Sequence, residues 1–169
     1  KLMPIDAGIA FIIVQHLPPD RESMVADIIG RQTRMPVHQI KDGMLVEPNH
    51  VYVIRPGHTL TLRHGALHLG KRLEKPMHNR PIDDFFKSLA SEQRERAICI
   101  IMSGMGSNGA AGAQAVKAVG GICIAQDPES AQFPSMPRHL IEAGYSDYIL
   151  RPQDMPEVLV GYARHPYAV

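Results

Sequence analysis

Tryptophan is absent from the chain and aromatic residues of all kinds make up only 5% of it. Stacking platforms for unpaired bases are therefore excluded. Charge of one sign is missing too: the formal net charge is +1, too weak a field to gather nucleic acid or an anionic membrane surface. No apolar run reaches the length of a membrane span, which argues against direct membrane insertion. No secretory leader is visible at the start, so a cytoplasmic setting is expected. Only two cysteines occur, Cys99 and Cys123, and both lie inside apolar runs. That excludes a disulfide framework and fits small buried thiols in a reducing compartment.

What the chain does contain is enough apolar material for a core, 44% of 169 residues, which fits one domain spanning residues 1–169. It opens on Lys1-Leu2-Met3-Pro4, which reads like the tail of a helix. The expectation is a fragment whose preceding structure, including a first strand, is missing.

Apolar runs at Ala7–Gln15, Val51–Ile54, Ala97–Ser103, Ile122–Gln126 and Asp147–Leu150 read as strands, the first as a strand buried on both faces and the third as a buried one. Helical spacing predicts Asp20–Thr33, Pro81–Gln93, Ser107–Val119, Met136–Ala143 and Asp154–Ala163. Asp42-Gly43, Pro48-Asn49 and Pro56-Gly57 mark turns. Leu60, Leu62, Leu67 and Leu69 alternate with polar residues about His64-Gly65, the pattern of a hairpin with one wet face. Strands alternating with helices give a doubly wound, mostly parallel α/β sheet with helices on both faces and one antiparallel excursion.

Ligands of open parallel sheets bind beyond the carboxyl ends of the strands. One such end carries Ser103-Gly104-Met105-Gly106-Ser107-Asn108-Gly109-Ala110, a glycine turn between a strand and a helix. Its backbone N–H groups suit either a phosphate or the oxyanion of a carbonyl under attack. The first reading is formally met: G-x-G-x-x-G is present, and Asp127 stands near the end of the next strand where a ribose-binding acid would sit. Against it, Met105 is bulky for such a turn and Asp127-Pro128 equally suits a turn or a cap. The second reading needs a base. His16, after the strand that ends at Gln15, is the candidate.

The motifs Val14-Gln15-His16-Leu17-Pro18-Pro19, Arg80-Pro81-Ile82-Asp83-Asp84-Phe85-Phe86, Ser103–Ala110, Gln126-Asp127-Pro128-Glu129-Ser130-Ala131 and Met136-Pro137 follow one another in order. With Asp42-Gly43-Met44, Val51–Gly57 and Gly120-Gly121, they resemble the catalytic domain of CheB-type protein-glutamate methylesterases from about Gly8 to Leu159. The Gln126–Ala131 stretch and the Asp147–Pro156 tail are most similar to copies fused to a receptor methyltransferase in sensor proteins.

The resemblance implies a serine hydrolase that removes methyl groups from glutamate esters of chemoreceptors or deamidates their glutamines. The implied partners are methylated receptor cytoplasmic helices, with fused regulatory or methyltransferase domains. Carried onto this chain, the general base is His16, the Met105 backbone N–H is an oxyanion donor, and the family's triad aspartate falls on Asn108. The family's serine lies in a turn after a strand that would precede Lys1, so no nucleophile is expected within the chain and the fragment is expected to be inactive. Asn108 is the second departure, because an amide gives imidazolium no opposite charge and can hold the wrong tautomer; Asp127 is a substitute orienter to weigh. A degenerate module that binds receptors without turnover, and a Rossmann-type nucleotide domain, are the alternatives.

No cofactor or metal is expected. His64 and His68 are four apart on a hairpin, where that spacing does not converge on one ion. Asp83 and Asp84 suit the dipole of their own helix. Arg55, Arg80 and Arg138 are candidates to line a cleft for acidic helices.

Overall fold

A computed structural model describes residues 3–15, 24–71 and 80–164. His16 and Asp20 lie outside these residues, as does His78.

Strand β1 (Phe11–Ile13) runs parallel to β4 (Val51–Val53), which also pairs in parallel with β2 (Val37–Gln39). A second parallel sheet has the order β7 (Ile98–Ile101), β8 (Ile122–Gln126), β9 (Tyr148–Leu150). The third is antiparallel: β3 (Met44–Leu45) and β5 (His58–Arg63) flank β6 (Ala66–Lys71). The hairpin turns at His64 and Gly65, both at positive φ. Leu60, Leu62 and Leu67 are buried on one face, as the alternation requires.

The helices are α1 (Val25–Gln32), α2 (Pro81–Gln93), α3 (Ala110–Ala118), α4 (Ser135–Glu142) and α5 (Met155–Arg164). They cover both faces of the parallel strands. Residues of α2, α3 and α4 build one cluster with Cys99, Ile101 and Ile12; residues of α5 build another with Ile98, Ile100 and Phe11, and α1 packs on Val51 and Val53. Alternate residues of β1 and β7 thus divide between opposite layers, as strands covered on both faces must. Yet among the described residues β1 pairs only with β4 and β7 only with β8, so each keeps one edge without a partner.

Helix α2 begins where expected because Pro81 lacks an N–H to leave unsatisfied at N1, and its inward face buries Ile82, Phe85, Phe86 and Ala90. The strands expected at Ala7–Gln15 and Ala97–Ser103 are shorter, and β2 and β3 were not anticipated. Helix α3 starts at Ala110 rather than Ser107, because Gly109 takes φ 103° and the loop stays open up to it.

Candidate active site

The loop between β7 and α3 is shaped by a buried acid from another helix. Asp83, 1% exposed in the first turn of α2, accepts hydrogen bonds on Oδ1 from Gly109 N (3.0 Å) and Gly112 N (2.7 Å). These are donors of the first turn of α3. The carboxylate therefore occupies the position a pyrophosphate takes in a dinucleotide fingerprint, at the positive end of the helix. Asp83 stands in the first turn of its own helix as expected, and its side chain in addition caps α3. The approach is close because Gly112 has no Cβ. An added one would lie 2.6 Å from Phe86 Cβ and 2.9 Å from the Asp83 backbone.

Asp127 leaves the nucleotide reading for a second reason. Its Oδ1 accepts from Glu129 N (3.0 Å), capping the short 3-10 turn Pro128–Ser130, and its Oδ2 faces Arg151 Nε at 3.4 Å. An acid held in this way caps its own turn rather than standing free for a ribose.

The loop itself is braced from the β8–α4 side. Gly104 N donates to Phe133 O (2.9 Å) and Met136 N donates to Gly104 O (3.0 Å). Phe133 N donates to Ser103 Oγ (2.9 Å), Ser103 N donates to Gln126 Oε1 (2.8 Å), and Ser135 Oγ donates to Gly106 O (3.2 Å). A side chain at Gly104 would collide with the thioether of Met136. Between these ties Met105 projects, 77% exposed, and its N–H has no acceptor among the described residues. A donor fixed by its neighbours and left unused is what stabilisation of a developing oxyanion requires.

Asn108 belongs to the same loop. Its Oδ1 accepts from Asp83 N at 3.2 Å, which leaves Nδ2 as the side-chain group free to face elsewhere. Ser107 Oγ is held by Arg80 Nη2 at 3.4 Å, and Arg80 Nε lies 3.5 Å from Asp83 Oδ2. Among the described residues neither Ser103 nor Ser107 has a histidine within hydrogen-bond reach. Of the three arginines, Arg80 is spent on Asp83 and Ser107, the Arg55 Nε is buried without an acceptor, and Arg138 stands exposed with no side-chain partner among the described residues. The structure thus brings Asn108 and Asp83 together, with Met105 in the same loop as Asn108. The role of Asp83 escaped the sequence because nothing in a linear pattern shows which of two adjacent acids turns inward toward a second helix.

A family model described as CheB methylesterase matches residues 1–159. The chain belongs to the CheB methylesterase family. The protein-glutamate methylesterase/protein-glutamine glutaminase of Thermotoga maritima is 33% identical over 163 residues, covering 94% of this chain and 47% of its own length. An uncharacterized 104.1 kDa protein of Rhodobacter capsulatus is 39% identical over 126 residues, covering 75% of this chain and 13% of its own. The chain therefore spans less than half the length of either relative. Among solved structures, the CheB methylesterase catalytic domain of T. maritima superposes with a TM-score of 0.85 at 31% identity, over 94% of this chain and 86% of that one. The doubly wound α/β fold is that of this CheB catalytic domain, with the antiparallel sheet as its departure from parallel pairing. No described helix is long and apolar enough to cross a membrane.

Proposed function

We propose that residues 1–169 act as one methylesterase-type unit that hydrolyses γ-methyl esters of glutamate, or deamidates glutamine, in cytoplasmic segments of chemoreceptors. The observation that carries this reading is the unused Met105 N–H, in a loop that leads to a helix two of whose first-turn donors are taken by Asp83. Asp83 holds two of the amides a phosphate at this helix terminus would need, while the Met105 N–H stays open to an oxyanion.

In this reading a serine hydroxyl attacks the ester carbonyl while His16 takes its proton. Negative charge collects on the carbonyl oxygen and is met by the Met105 N–H. The imidazolium returns the proton to the departing methoxide, releasing methanol. Water, deprotonated by the same imidazole, then cleaves the acyl-serine to free carboxylate. The serine comes from outside the 169 residues, on a turn ahead of Lys1. Its strand would enter between β1 and β7, whose unpaired edges and shared apolar layers fit one more strand.

Asn108 limits the chemistry. With Oδ1 engaged by Asp83 N, it offers imidazole a donor, which favours the tautomer that carries its proton on the nitrogen needed for attack. In trypsin, the equivalent Asp-to-Asn change lowers turnover about ten-thousand-fold. The same observation favours a second reading, a module that binds receptor segments without turnover.

Methanol release from methylated receptor separates the two. A protein extended to include the serine turn should release methanol slowly, and Asn108→Asp should raise the rate by at least about a hundred-fold. His16→Ala should abolish release with thermal melting unchanged. Silence from both the extended native protein and its Asn108→Asp variant would end the esterase reading and leave the binder.

A further inference from the structure

Three large apolar side chains stand exposed on the two loops that build the site: Met102, Met105 and Phe133. Met105 and Phe133 form the mouth of a groove of about 360 Å³ that continues along α4 past Arg138 to Glu142. Its walls are tied to one another by the Gly104–Phe133 and Ser103–Phe133 hydrogen bonds, so the groove is preformed. Exposed apolar side chains grouped beside a reactive centre signal a binding surface. Arg138 sits one helical turn from Ser135, whose hydroxyl touches Gly106. Its guanidinium meets no acid within the described residues, and Glu142 lies one further turn away, about 6 Å along the axis. The cation thus stands on the reactive side of the groove and the anion on the far side.

We propose that this groove seats the stretch of substrate polypeptide that flanks the modified glutamate. An apolar side chain of the substrate enters between Met105 and Phe133, and an acidic side chain next to it pairs with Arg138. This rests on the esterase-site reading above, because Met105 both lines the groove and offers its N–H to the reacting carbonyl. Neutral or basic flanking sequence leaves Arg138 without a partner, so the groove selects for acidic context around the ester.

The test uses the 169-residue chain and three synthetic peptides, followed by backbone amide NMR titration. One carries γ-methyl glutamate flanked by Leu and Asp, one the same ester flanked by Leu and Lys, and one the Leu-Asp flank with Ala in place of the ester. The Asp-flanked peptides are expected to shift the Phe133 and Arg138 amides whether or not the ester is present, and to bind more tightly than the Lys-flanked one. Arg138→Glu, at an exposed position, should weaken the Asp-flanked peptide about ten-fold, since a repulsion replaces an attraction of similar size. It should also invert the preference between flanks. Equal binding of the two flanks, or shifts confined to Met105 and Asn108, would overturn the groove while sparing the ester site. Shifts at Phe133 and Arg138 without an ester-dependent shift at Met105 would uphold the groove and count against the esterase reading. No saturable shift with any peptide would overturn the groove as well.

Discussion

Asp83 does at one residue what several would otherwise share. One oxygen satisfies two amides of α3, and its own N–H orients the amide of Asn108. Replacing it with Ala leaves two buried N–H groups without acceptors, a loss of about 3 kcal/mol, to be read from the urea midpoint. Because the Asn108 contact uses the backbone of Asp83, Asp83→Asn should retain most of that orientation while weakening the cap. Glycines, prolines and the acid at position 127 announce themselves in a sequence, since each has a local reason to sit where it does; an acid directly before a proline suits a cap on sight. Asp83 has a local reason in the dipole of its own helix, but its capping role depends on a partner 26 residues further on. The direction in which the Asn108 amide faces was not legible, because it is set by the Asp83 N–H on another helix.

At the scale of elements, α2 was legible to its last residue because proline sets its start and its apolar spacing is regular. The strands β2 and β3, of three and two residues, are too short to show a period against turns on either side. Helix α3 packs against α2 through Gly112, and this contact outweighs propensity. Gly112→Ala would favour the isolated helix by about 1 kcal/mol, yet the added carbon meets backbone at 2.9 Å and should destabilise the fold by about 2 kcal/mol net, measurable by thermal melting. Strands β7 and β8 bring Cys99 and Cys123 into direct register, with the Cys99 thiol donating to Cys123 Sγ at 3.0 Å. That bond and burial raise the Cys99 pKa far above its ordinary 9.0. A group with a raised native pKa contributes fully at low pH and loses ground once the unfolded thiol ionises. Stability under reducing conditions should therefore fall above pH 9.0 by about 1.4 kcal/mol per pH unit. Below that pH Cys99 should stay silent toward thiol reagents until the chain unfolds.

For the whole molecule, the alternation of strands and helices was enough to foresee layers of helix on both faces, and the hairpin stood out by its period of two. The number of sheets was not foreseeable, because hydrogen bonding between distant strands leaves no mark in either sequence. Two strands, β1 and β7, have backbone donors and acceptors on one side that no described neighbour uses. The consequence is practical. The strand proposed to carry the serine would fill a seam between these two edges. A short synthetic peptide carrying an apolar strand followed by a glycine-rich serine turn should anneal into that seam, protect the amides of Phe11–Ile13 and Ile98–Ile101 from hydrogen exchange, and switch on methanol release in the Asn108→Asp variant. Hydrolysis would then be assembled on demand from two inert parts, with the peptide as its trigger.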